Sequence, residues 1–214
     1  MSKYIAELVG TFALVFCGTG AIIINEVSGG AVGHQGIAIT FGLIVMAMVY
    51  SIGERSGAHI NPAVTIAFTL SKKFPVQHLL PYIIAQLVGA LLASGLLRFL
   101  FPEAKTLGET LPAGSIQQSF ILEVVLSFFL MFVIFQVVSS SKEISHWAGA
   151  AIGATVLLEA MFAGPICGAS MNPARSIGPA VVNGNLTHLW AYIVAPILGM
   201  IISLGVWKLL QEEQ

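Results

Sequence analysis

The chain has 214 residues, 57% of them hydrophobic and only 9% charged, with a formal net charge of −1 and a mean hydropathy of +0.91. Soluble domains carry about 25% charged residues, and a soluble fold of this length cannot hide so much apolar surface, so the composition points to the lipid bilayer. The near-neutral charge supplies no basic stripe to neutralise phosphates, which excludes nucleic acid as a partner.

Each spanning helix needs roughly 20 mainly apolar residues, so the length allows about six or seven spans. The first apolar run, Tyr4–Ile24, begins almost at Met1 and continues up to Asn25. It is too long for the apolar stretch of a signal peptide, and reads as a retained span. Gly36–Gly53 is the second span. After a Gly-rich turn comes a shorter run, Asn61–Leu70, headed by Asn61-Pro62-Ala63. Val76–Phe101, Gln117–Ser139 and His146–Gly164 follow as spans three to five. A second short run, Asn172–Val182, opens on Asn172-Pro173-Ala174, and His188–Leu210 closes the series. Neither short run can cross a bilayer alone. The expectation is an all-α membrane protein with six transmembrane helices and two re-entrant half-helices.

With a cytoplasmic N-terminus, Lys3, Arg55, Lys72, Lys73, Lys142 and Lys208 gather on that side, while Arg98 and Lys105 stay opposite. The positive-inside bias then puts both termini in the cytoplasm. The chain also repeats itself. Tyr4–Phe12 matches Phe120–Phe128, aligning Glu7 with Glu123, and Gly57–Ala63 matches Gly168–Ala174. Three spans per half is an odd number, so the second copy enters the membrane from the other face. One domain, 1–214, is thus read as inverted repeats 1–110 and 116–214, with the functional site at the midplane.

Proline suits the first turn of a helix, and Asn at the cap accepts from orphan backbone donors. Two ordinary capped helices would explain one triplet, but matching triplets on two half-helices point to a pore. Half-helices meeting head to head bring two positive dipole ends together, and each Asn amide can donate into the lumen. Irregular backbone at this depth is tolerated where it lines a wet cavity, so the carbonyls of Gly57, Ala58 and His59, and of Gly168, Ala169 and Ser170, can accept from a passing solute. Such a row suits water or a polyol, and the converging dipoles repel cations, hydronium included.

These residues resemble the aquaporin, or major intrinsic protein, superfamily over essentially the whole chain. The likeness rests on both Asn-Pro-Ala boxes, the Ser56–His59 approach, the Arg175-Ser176 continuation and the Glu7/Glu123 pair. The run Ala163–Ala180 is most similar to nodulin-like intrinsic proteins. The resemblance implies a right-handed six-helix bundle assembled as a homotetramer in the plasma membrane, with one pore per subunit. It implies passage of water, glycerol and neutral metalloid hydroxides such as arsenous, boric or silicic acid. Ser176 departs from the Asp that glycerol facilitators usually carry there. The family's four-residue selectivity filter falls here on Phe41, Ala160, Ala169 and Arg175. Strict water channels have His where Ala160 stands, and nodulin-like proteins often have Trp in place of Phe41, so the filter reads as a wide, partly apolar hybrid.

Glu7 and Glu123 are intramembrane carboxylates, expected to accept from backbone amides of their own re-entrant loops as scaffold. Arg175 is expected at the pore, its other reading being a partner for Glu159 or a loop carbonyl. Glu159 points about 100° away from Ala160 on a helix and is expected to partner the loop before Asn172. His59 is expected to pack its ring locally while its carbonyl faces the lumen, rather than to gate by protonation. Cys17 and Cys167 have no metal-ligand spacing, and the expectation is no metal and no cofactor. Cys167 lies near the mouth, as a small buried residue or a thiol-reagent target. Asn185-Leu186-Thr187 forms a glycosylation sequon on the outer side.

A secondary transporter also uses inverted repeats and broken helices, but it generally needs an ion or proton site, and this chain contains no Asp. An intramembrane enzyme finds no Ser/His pair, zinc pattern or phosphate loop here. A structural junction protein of the same fold would be told apart by its lack of flux.

Overall fold

A computed structural model describes residues 1–211, and among these every regular element is helical. The helices are α1 (Ser2–Val27), α2 (Gly33–Ser56), α3 (Pro62–Leu70), α4 (Leu79–Leu100), α5 (Ile116–Val138), α6 (Lys142–Ser145), α7 (Ala148–Cys167), α8 (Pro173–Asn183) and α9 (Leu189–Gln211). A single 3₁₀ turn, Val76–His78, leads into α4. Six of the helices are long and apolar enough to cross a membrane: α1, α2, α4 with its leading turn, α5, α7 and α9. The half-helices α3 and α8 have 9 and 11 residues, both too short to cross.

The fifth span differs from expectation at both ends. His146 lies outside it, because residues 142–145 close their own short turn before α7 begins at Ala148. At the other end α7 runs past Gly164 to Cys167 with Pro165 inside it.

Lipid tails are as apolar as leucine, so helices in a bilayer associate by close packing of small residues rather than by hydrophobic exclusion. Three seams show this. In the first half α1 packs on α4, and a Cβ added at Gly89 would sit 2.3 Å from the Leu8 carbonyl oxygen. In the second half α5 packs on α9, and a Cβ at Gly199 would sit 2.2 Å from the Val124 carbonyl. The third seam joins the halves. Gly42 on α2 and Gly153 on α7 face each other's carbonyls, where added Cβ atoms would lie at 2.7 and 2.6 Å. Leu43, Leu92, Phe129, Leu158 and Val194 point away from these seams and are exposed. The result is a six-span inverted-repeat bundle with two half-helices at its centre.

Candidate functional site

The two Asn-Pro-Ala triplets build the centre from their own caps. Asn61 has extended backbone (φ −157°, ψ 120°), and its Oδ1 accepts from Ala63 N at 2.9 Å with Pro62 in the first turn. Asn172 does the same (φ −151°, ψ 108°), accepting from Ala174 N at 3.0 Å and Arg175 N at 3.4 Å. With the oxygens so engaged, the amide nitrogens cross to the opposite loop. Asn61 Nδ2 donates to the Met171 carbonyl at 2.7 Å, and Asn172 Nδ2 donates to the Ile60 carbonyl at 2.9 Å. An amide carries two N–H groups, so each cross-bond uses one of them. Repeat reasoning alone does not reveal this reciprocal tie.

The approaches to both caps are strained at matching places. Ala58 and Ile60 have φ of 47° and 43°, and Ala169 and Met171 have 41° and 53°. Non-glycine residues in this region cost of order 1–3 kcal/mol each and persist only where surrounding contacts over-determine them. The contacts are two buried carboxylates. Glu7 accepts from His59 N (2.9 Å) and Ser56 Oγ (2.7 Å) on one oxygen, and from Ile60 N (2.7 Å) and Gln86 Nε2 (2.7 Å) on the other. Glu123 accepts from Ser170 N at 2.7 Å and Met171 N at 2.8 Å. Each carboxylate therefore grips the peptide units on either side of the strained turns.

A cavity of about 100 Å³ runs beside these loops. Asn61, Asn172, Gly57, Ala58, His59, Ala169 and Ser170 all form part of its wall. The remainder is largely apolar, with Leu14, Val45, Ile134 and Val156 among the side chains. Phe41 and Arg175 also line it, the guanidinium carbon lying 5.0 Å from the Phe41 ring centroid. Arg175 is buried and donates through Nη1 to the Gly108 carbonyl at 2.6 Å. Of its two alternative partners, a loop carbonyl is therefore found and Glu159 is not. Gly108 belongs to the connection between α4 and α5, which carries no helical or repeat pattern. Its φ of 71° and a would-be Cβ 2.9 Å from Thr19 Cβ mean that only glycine presents that carbonyl there. Thr110 Oγ1, bonded to Ser176 Oγ at 2.7 Å, pins the same connection onto α8.

Ala160 is buried on α7 one turn beyond Val156, which lines the cavity. Gly168 caps α7 in the left-handed region against Thr110. Glu159, expected to partner the loop before Asn172, is buried with no hydrogen-bond donor to either oxygen among the described residues. The reason is that Glu123 already takes the Ser170 and Met171 amides.

His59 is buried, with Nδ1 3.2 Å from Thr65 Oγ1 and its ring packed among Phe68, Phe74 and Tyr82 at centroid distances of 4.9, 4.8 and 5.2 Å. Cys167 is buried with Sγ 3.5 Å from the Ala163 carbonyl, and both cysteines are free. Glu26 closes the C-terminal end of α1 by accepting from Lys105 N at 2.9 Å.

A family profile described as "Major intrinsic protein" matches residues 1–207. The chain is 47% identical over 212 residues to Aquaporin NIP1-1 of Zea mays, covering 99% of this chain and 75% of that protein. It is 43% identical over 212 residues to Nodulin-26 of Glycine max, covering 99% and 78%. Among solved structures, the X-ray structure of the aquaglyceroporin from Plasmodium falciparum matches with a TM-score of 0.87 at 24% identity, covering 97% of this chain and 95% of that one. That likeness establishes the fold. The chain belongs to the major intrinsic protein family, with nodulin-like members among its relatives. It is a multi-pass membrane channel for passive passage of water and small solutes, and not an enzyme.

Proposed function

We propose that this channel carries water together with small uncharged solutes, glycerol and neutral metalloid hydroxides such as arsenous or boric acid, and excludes protons and ions. The observation that carries this reading is the reciprocal bonding of Asn61 and Asn172 across the cavity they both line. Each amide is locked by its own cap and the opposite loop, so its second N–H is oriented without reorganisation toward whatever occupies the lumen. The carbonyls of the two strained approaches supply acceptors on either side. Neutral solutes with hydroxyl groups exchange their water partners for this row, whereas a cation is opposed by the positive ends of α3 and α8.

Phe41, Ala160, Ala169 and Arg175 form the filter in this reading. A small residue at 160 adds no bulk from α7 to the gap between the Phe41 ring and the guanidinium, which favours solutes wider than water. The Arg175 charge adds exclusion: like charges roughly 4 Å apart repel by about 4 kcal/mol at an effective dielectric of about 20. Glu7 and Glu123 act as scaffold, and residues 1–110 and 116–214 form the two repeats. The charge asymmetry of the loops supports cytoplasmic termini, and we place the channel in the plasma membrane as a homotetramer.

Stopped-flow light scattering on proteoliposomes tests the solute range with water, glycerol and arsenous acid. Asn172→Leu is expected to abolish all three fluxes, and normal permeability in that folded variant overturns the pore. Ala160→His is expected to suppress glycerol and arsenous acid while sparing much of the water flux. An equal fall in all three removes Ala160 from the filter.

A further inference from the structure

We propose that His34 is a positioning residue for the filter, replacing the helical hydrogen bond that Pro165 removes from Met161 and so setting the separation of α2 and α7. The inference rests on the filter reading above. Proline inside a helix removes the bond to the carbonyl four residues earlier and usually kinks or breaks the helix, at about 3 kcal/mol or more. Here α7 continues through Pro165 to Cys167. The carbonyl left without its donor is that of Met161, and His34 Nε2 lies 2.7 Å from it. A carbonyl only accepts, so this ring nitrogen carries the hydrogen, which fixes the ring's donor. The approach depends on Gly164, where a Cβ would lie 3.1 Å from His34 Cε1.

The bond joins the two helices that carry Phe41 and Ala160. His34 sits in the first turn of α2, and Phe41 follows seven residues later, about two turns on along the same face. Ala160 immediately precedes Met161. The first turn of α2 is itself held to α1, since Gly33 N donates to Asn25 Oδ1 at 2.7 Å. Farther in, Gly42 and Gly153 lock the same pair of helices backbone to backbone. The stretch bearing the filter residues is thus clamped at two points, the glycine contact and the His34 bond. Without the second clamp, the ends of α2 and α7 separate and the filter widens. The corresponding position of the first repeat, counted back from Gly57 as Pro165 is from Gly168, is Glu54, so the device exists in one half only.

The test compares three variants in proteoliposomes by permeability to water, formamide, urea and glycerol. His34→Ala is expected to raise the solute-to-water ratio of the largest permeant solute about threefold, the size of effect one net hydrogen bond supports. His34→Gln, whose amide nitrogen can occupy the Nε2 position, is expected to return the ratio to that of the parent. The double variant His34→Ala/Pro165→Ala is expected to do so too, because residue 165 then supplies the missing N–H itself. Retained water flux in each variant certifies a folded pore. An unchanged ratio in His34→Ala, or a change that neither rescue reverses, overturns the proposal. Absence of flux in the parent overturns the channel reading instead.

Discussion

The loops before Asn61 and Asn172 follow the same backbone path, yet they are held by unequal means. Glu7 collects four donors, two from the backbone and two from Ser56 and Gln86. Glu123 collects two, both from the backbone. The position in α9 corresponding to Gln86, four residues after Tyr192 as Gln86 is four after Tyr82, is Pro196, which offers no side-chain donor. The shared minimum, a carboxylate bonded to two successive amides beside left-handed residues, is what the loop geometry requires. The extra donors in the first half are reinforcement. The second half instead carries Glu159, a carboxyl without a protein donor, where the first half has Met48, each nine residues before its loop glycine.

The largest effect expected from breaking this comparison comes from the carboxylates themselves. Glu7→Leu breaks four buried hydrogen bonds, each costing about 1–3 kcal/mol, and takes the acceptor from both loop amides, so it should leave no folded protein and no water flux. Glu123→Leu breaks two and should yield a folded but lower-melting protein in detergent. A Glu123 variant that suffers more than the Glu7 variant would reverse the ranking. The seams are the symmetric control. Gly89→Ala and Gly199→Ala each force a methyl group onto a backbone oxygen, so each should cost about 1–3 kcal/mol by thermal unfolding. A twofold difference between them would show that the helix pairs are not equivalent. The smallest effect belongs to Glu159→Met, which imports the first half's residue. It should raise stability by about 1 kcal/mol by removing an unsatisfied polar group, and a lower melting temperature would mean that the carboxyl has a partner after all.

Much of this architecture is legible in the sequence because hydropathy and local rules dictate it. The six apolar runs, the half-helices begun by Asn61-Pro62 and Asn172-Pro173, and the matched Glu7 and Glu123 all follow from composition, capping chemistry and spacing. What escapes depends on contacts between segments distant in the chain. Pro165 reads as the end of a helix unless one knows that His34, 127 residues away, supplies the missing bond. The Arg175 partner, Gly108, lies in a connection with no pattern of its own, and its role emerges only when α4 and α5 are in place. Glu159 looks like a loop partner until Glu123 is seen to occupy both available amides.

The contact of Gly42 with Gly153 also carries a consequence for biosynthesis. α2 has its most extensive packing with α7, a helix of the other repeat, whereas α1 meets α4 and α5 meets α9 within their own repeats. About 90 residues separate the end of α2 from the start of α7. At a synthesis rate of about 5–20 residues per second, α2 waits in the nascent chain for roughly 5–20 s before its glycine face finds its counterpart. During that interval the small-residue face of α2 around Gly42 is open to lipid or to any passing helix. The finished pore is therefore assembled late, when the fifth span leaves the ribosome, and truncation before α7 leaves the glycine face of α2 unpartnered, with only α1 packed on its other side.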